Sequence, residues 1–204
     1  MSGQSLVKRL WSRDLSLWSP DGRLPDEVEN RLGWLNAVPW MERHCEEVRD
    51  WAESIVASGQ FTRVMLLGMG GSSLAAEVFH QVLGSAEGYP EFVMLDSTNP
   101  QQVKRHDADH QTTLFLVASK SGSTLETADL MAWFYARVKH CSDHPGDNFV
   151  AITDPGSGLE AQAREMGFSR IFLNPSDIGG RYSALSFFGL VPAALMGIDL
   201  QKVL

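Results

Sequence analysis

The sequence predicts a three-layer α/β/α domain on a five-stranded parallel sheet, with a helical segment ahead of it. Three observations carry this expectation. From Thr62 onward, short apolar runs alternate with stretches of helical spacing, the mark of repeated βα units. The central run, Leu114-Phe115-Leu116-Val117-Ala118, is continuously apolar, as in a strand covered on both faces. Loops rich in glycine and serine follow the first and third runs, at the strand ends where open parallel sheets bind ligands.

The elements follow in order. Residues 1–61 read as a helical extension containing Trp11, Trp18, Trp34, Trp40 and Trp51, whose spacing suits packing against the neighbouring domain, a carbohydrate-stacking platform being the alternative. Pro20-Asp21-Gly22 predicts a turn, and Pro25 opens a helix with Asp26 and Glu27 in its first turn. Leu35-Asn36 closes that helix, and Pro39 opens another that runs to about Ser58-Gly59. Residues 62–204 form the α/β domain. Its strands are Val64–Leu67, Phe92–Leu95, the central run, Phe149–Ile152 and Ile171–Leu173. Helices are expected at Leu74–Leu83, after Thr124 with Ala128, Met131, Ala132, Tyr135 and Val138 on one face, after Ser157 in a Ser157/Glu160 capping box, and at Leu185–Met196. The chain shows no internal repeat and no low-complexity segment.

Composition narrows the function. At 204 residues, with 44% hydrophobic and 21% charged residues, the chain can bury a core of ordinary size. A formal charge of −8 and no basic run disfavour nucleic acid as a partner. No apolar stretch is long enough to span a bilayer, and the N-terminus has no signal-peptide core. Cys45 and Cys141 have neither metal nor disulfide spacing, which makes a reducing, cytoplasmic setting the expectation. No metal and no cofactor are called for.

The chemistry lies in three stretches. Ser119-Lys120-Ser121-Gly122-Ser123-Thr124 joins the central strand to its helix. Four hydroxyls and one ammonium there meet the free N–H groups and positive dipole end of a helix N-terminus, a combination suited to a phosphate ester. The same loop also reads as a plain turn with a Ser123/Glu126 capping box, and the two readings are compatible. Gly68-Met69-Gly70-Gly71-Ser72-Ser73 nearly matches a dinucleotide fingerprint, with Asp96 near the place of a ribose-binding acid. Ser73 stands in place of the third glycine, however, and two facing hydroxyl-bearing loops suit a phosphosugar better; a tight strand-to-helix turn is the remaining reading. Arg181, after Gly179-Gly180, is expected at the start of the apolar helix, facing an anion or developing negative charge, or else paired with Asp177 on the surface.

At these residues the chain resembles a known family. Ser119 through Thr127 resembles the phosphate motif of sugar isomerase (SIS) domains. Gly68 to Ser72 looks like the first glycine motif of the phosphoglucose isomerase family. Gly179-Gly180-Arg181-Tyr182-Ser183-Ala184-Leu185-Ser186, continuing to Pro192-Ala193-Ala194 and Gly197-Ile198-Asp199, is similar to a signature of that family in particular. Arg9 to Asp14 with Leu17-Trp18 resembles, more loosely, the start of the isomerase half of transaldolase–phosphoglucose isomerase fusions. The resemblance implies a flavodoxin-like strand order, 2-1-3-4-5, and interconversion of glucose 6-phosphate and fructose 6-phosphate through a cis-enediol. It implies that Ser119, Lys120, Ser121, Gly122, Ser123 and Thr124 hold the sugar phosphate, that Gly71 and Ser72 contact sugar hydroxyls, and that Arg181 is the catalytic residue stabilising the enediolate. In the family the proton-moving glutamate comes from a second SIS domain, and a histidine and a lysine from outside the first domain assist ring opening. That second domain is absent up to Leu204, so this chain alone is expected to bind sugar phosphate and turn over little. A homodimer and packing against the second domain are the assemblies implied. The rival readings are a non-catalytic sugar-phosphate-binding regulatory module and an NAD-dependent dehydrogenase.

Overall fold

A computed structural model of the chain describes residues 5–19 and 30–204. Its centre is the strand Thr113–Ala118 (β3), whose residues are all buried. Arg63–Gly68 (β1) pairs with it on one side and Glu91–Leu95 (β2) lies beyond; Phe149–Thr153 (β4) and Arg170–Leu173 (β5) extend the other side. All pairs are parallel and the order is β2-β1-β3-β4-β5, as expected.

The continuous apolar runs are explained by the two faces. Side chains alternate across a strand, so Val64, Leu66, Leu114, Leu116, Val150 and Ile152 fill one core. Met65, Leu67, Phe115, Val117, Phe149 and Ala151 fill the other. Over the first face lie Cys45–Ser58 (α3), Leu74–Leu83 (α4) and Phe187–Leu195 (α8), every residue of α8 being buried. Over the second lie Pro100–Arg105 (α5), Leu125–Lys139 (α6) and Gly158–Glu165 (α7). Val48 and Ala52 of α3 belong to the same core as β1 and β3, so this N-terminal helix is a full member of one layer.

Several expectations are corrected in detail. The turn at Pro20 and the helix start at Pro25 lie outside the described residues. Gly33–Asn36 is a 3-10 turn, and Ala37–Glu42 (α2) begins two residues before Pro39. Proline is tolerated there because the first N–H groups of a helix have no intrahelical partner. The run to Ser58 is interrupted at Arg43-His44, and α3 starts afresh at Cys45. The apolar helix begins at Phe187, not Leu185, with its N-cap at Ser186. Leu6–Trp11 (α1) is capped by Ser5, and Leu200–Val203 (α9) by Asp199.

Candidate functional site

The site is assembled at the C-terminal edge of the sheet. β1 and β3 end at the paired residues Gly68 and Ala118, so the two loops predicted to carry chemistry start side by side.

The loop after β3 is fixed from beneath. Ser119 N–H donates to Ile152 O at 3.0 Å, and Thr153 Oγ1 donates to Ser119 O at 2.7 Å. Thr153 Oγ1 also lies 2.7 Å from Ser157 Oγ, which accepts from the Glu160 N–H at 3.1 Å and caps α7. Gly122 is required here: its φ is +68°, and a Cβ would sit 2.5 Å from Leu159 N at the start of α7. The loop therefore rests on the first turn of α7. Its hydroxyls bond among themselves, Ser121 Oγ to Ser123 Oγ at 2.8 Å and Ser119 Oγ to Thr124 Oγ1 at 3.3 Å. Ser119 is buried, while Ser121 and Ser123 are exposed.

The predicted Ser123/Glu126 capping box does not form. Thr124 occupies the N-cap of α6 with no cap bond from its side chain, and among the described residues no side chain bonds to the N–H groups of the first turn. Those donors stay open toward the loop, and Glu126 is exposed. The box at Ser157 does form in modified shape, with Glu160 reaching the N–H of Gly156 rather than that of the cap residue.

Lys120, expected to hold the phosphate, is also paired within the chain. Its ammonium bonds to an oxygen of Asp154 and to Ser176 O at 2.8 Å. Asp154 is the better buried partner, 14% exposed against 29% for Lys120. Burial pushes its carboxyl above the usual carboxylate value; Lys120 opposes this and the charge of Asp177 adds to it.

The glycine loop after β1 meets the segment that follows β5. That segment leaves the far edge of the sheet and returns to β1. A Cβ on Gly71 would lie 2.2 Å from Gly180 O, so only glycine lets the two backbones meet. Ser183 Oγ binds both sides, 2.7 Å from Gly180 O and 3.1 Å from Gly71 O. Ser73, in place of the fingerprint's third glycine, is buried and turns its hydroxyl back to Gly70 O at 3.3 Å. Arg181 sits in the 3-10 turn Gly180–Tyr182, so its expected position at the helix start is corrected: α8 begins later, and the turn projects Arg181 beside the glycine loop instead. It is exposed and has no ion pair among the described residues, while Asp177 meets Arg13 at 3.5 Å. Gly71, Arg181 and Ser183 line one groove of about 320 Å³ with Leu74 and Val78 of α4.

The structure thus groups the predicted residues in two clusters: Ser119 to Thr124 on the β3 loop, and Gly71 with Arg181 across the β1 and β5 loops. Residues that the sequence reading missed join them. Asp154 opens the Asp154-Pro155-Gly156 turn that follows β4, at the same sheet edge as the other loops. Asn174, fully buried, accepts the Phe187 N–H at 3.2 Å and ties the returning segment to α8. Tyr182 stacks on Trp34 with ring centroids 5.5 Å apart.

Known proteins resemble this chain in sequence and fold. The family profile described as phosphoglucose isomerase matches residues 33–204. A glucose-6-phosphate isomerase of Thermosynechococcus vestitus is 34% identical over 203 residues, covering 98% of this chain and 37% of that protein. A solved structure of a hypothetical protein from Thermus thermophilus superposes with a TM-score of 0.80 at 31% identity, over 97% of this chain and 45% of the other. A glucose-6-phosphate isomerase structure from Chlamydia trachomatis gives a TM-score of 0.66 at 25% identity, over 76% of this chain and 30% of the other. The chain spans less than half the length of each of these relatives.

Proposed function

This chain belongs to the phosphoglucose isomerase family, and from that premise we propose that it supplies the phosphosugar-binding part of a glucose-6-phosphate isomerase. The observation that carries the reading is the loop after β3: exposed hydroxyls and unbonded helix N–H groups converge where an anion is best accommodated. In this reading Ser119 to Thr124 hold the phosphate, and Gly71 and Ser72 approach the sugar from the neighbouring loop. Arg181 is a permanent cation beside that loop, suited to stabilise the enediolate oxygen as its charge develops. Proton transfer between C1 and C2 needs a base within reach of the carbon. Asp154 is engaged by Lys120, and Glu126 is exposed on the first turn of α6. We assign the base to a second SIS domain, the part of the longer relatives that this chain does not span. The exposed apolar row Leu74, Val78 and Val82 of α4, which borders the Arg181 groove, supports docking of that domain there.

Titration with fructose 6-phosphate and with NADH tests the reading. Fructose 6-phosphate binds and NADH does not. Ser121→Ala and Thr124→Ala each weaken sugar-phosphate binding about ten- to a hundred-fold, the loss of one hydrogen bond to a charged group. Equal affinity in both variants returns the loop to a simple turn. Residues 1–204 alone give no turnover within the usual range of about 1–1000 per second; turnover in that range overturns the assignment of the base to another domain.

A further inference from the structure

Building on the reading of Ser119 to Thr124 as an anion site, we propose that Asp154 is its positioning residue, holding the Lys120 ammonium toward the loops after β4 and β5 and competing with an incoming dianion for it. Lys120 and Asp154 are joined twice. The Asp154 N–H donates to Lys120 O at 3.2 Å, and the Lys120 ammonium donates to the Asp154 carboxylate. The ammonium gives a second proton to Ser176 O at 2.8 Å. An ammonium has three donors, so one remains for a ligand while the tether is closed.

The tether is imperfect in a way that suits exchange. The other oxygen of Asp154, Oδ1, is buried and has no partner among the described residues. A buried carboxylate with an unpaired oxygen is destabilised relative to its protonated form, which agrees with its raised carboxyl. The shape of the loop does not depend on this carboxylate. Thr153 and Ser157, uncharged, bind the loop backbone and cap α7 on either side of it.

The charged groups around Asp154 leave it as the group that responds. Lys120 reaches it from the loop after β3, and Asp177 faces it from the segment after β5, itself 3.5 Å from Arg13. Glu160 of α7 is held by Arg164 and by the Gly156 N–H. A dianion in the loop draws Lys120 toward itself and leaves Asp154 facing Asp177 and the ligand. The carboxylate then takes a proton from solvent on Oδ1. Anion binding is therefore coupled to proton uptake, and affinity rises as pH falls.

Sulfate is the probe, because it stays a dianion while phosphate esters titrate. Its affinity for the whole chain is measured by calorimetry from about pH 8 to about pH 5, for wild type, Asp154→Asn, Lys120→Gln and the double variant. Asp154→Asn binds about five- to tenfold tighter at the upper pH. Wild type tightens by a similar factor on acidification, and Asp154→Asn stays flat. In the Lys120→Gln background the gain from Asp154→Asn is smaller than in wild type, because only the direct repulsion of the dianion is then removed, whereas a merely structural role gives the same change in both backgrounds. Should Asp154→Asn fail to fold, wild type titrated in two buffers of different ionisation heat still reports the proton taken up. Sulfate binding without proton uptake, or with equal pH profiles in wild type and Asp154→Asn, overturns this proposal and leaves the phosphate-site reading intact. Absence of both sulfate and fructose 6-phosphate binding overturns both.

Discussion

Gly71 makes a close approach at the C-terminal edge of the sheet, where the absence of a side chain lets the β1 loop touch the segment returning from β5. Its φ is not in the left-handed region, so the requirement is one of space alone. Gly71→Ala therefore forces the Gly180 carbonyl away and separates the two loops. Overpacking of this kind costs about 1–3 kcal/mol, read as a lowered denaturation midpoint. The groove holding Arg181 opens with it. Gly180→Ala is the control, since a Cβ there meets nothing within 4 Å, and its midpoint stays close to wild type. The sequence shows both glycines alike in a run of small residues. Which one is pressed against another backbone depends on a segment more than a hundred residues away, and no local pattern encodes that.

At the scale of elements, the two serine-bearing helix starts behave differently, which separates capping from ligand binding. Ser157 caps α7 through the Glu160 N–H, so Ser157→Ala loses about 1 kcal/mol of stability by chemical denaturation. Thr124 stands at the cap of α6 without bonding to its N–H groups, so Thr124→Ala changes stability by less than about 0.5 kcal/mol while weakening anion binding. The sequence rule for capping boxes places both boxes correctly as candidates and fails at Ser123. There the hydroxyl is taken by Ser121, a competition between neighbouring side chains that spacing does not resolve. The helix α5 is hidden for the opposite reason. Asn99-Pro100 reads as a strand end, yet Asn99 caps the helix at 2.9 Å and Pro100 occupies its first turn. Just beyond α5, Asp107 links three segments: it binds Arg137 of α6 and lies 3.0 Å from His110 ahead of β3. Burial pushes the Asp107 carboxyl up, but the bonds from Arg137 and His110 outweigh it and leave it below its ordinary value of 3.8. A lowered folded value contributes stability that is complete above the unfolded value and lost as the pH falls through the folded one. Asp107→Asn is accordingly less stable than wild type by about 1 kcal/mol at neutral pH. The two midpoints converge once the pH drops below the usual carboxylate range.

For the whole molecule, the parallel sheet was legible because continuous apolar runs, helix-spaced stretches and loop chemistry all point the same way, whereas its strand order followed from the family resemblance. The two loops rich in glycine and serine were legible as site candidates because strand ends in such sheets are where ligands bind. What stayed hidden depends on tertiary approach: the Lys120–Asp154 pair, the Gly71–Gly180 contact and the displaced start of α8. The Ser183 hydroxyl bonds to Gly71 O across 112 residues of chain. Closing a loop of that length comes late, because its entropy must be overcome before the contact can contribute. On a ribosome, β1 and its glycine turn emerge well before their partner exists. In refolding, Trp34 reports the last step, since its stacking on Tyr182 requires the returning segment to be seated. The fluorescence change that Trp34→Phe removes lags the recovery of helical circular dichroism; simultaneous recovery would mean that the wall of the groove closes together with the sheet.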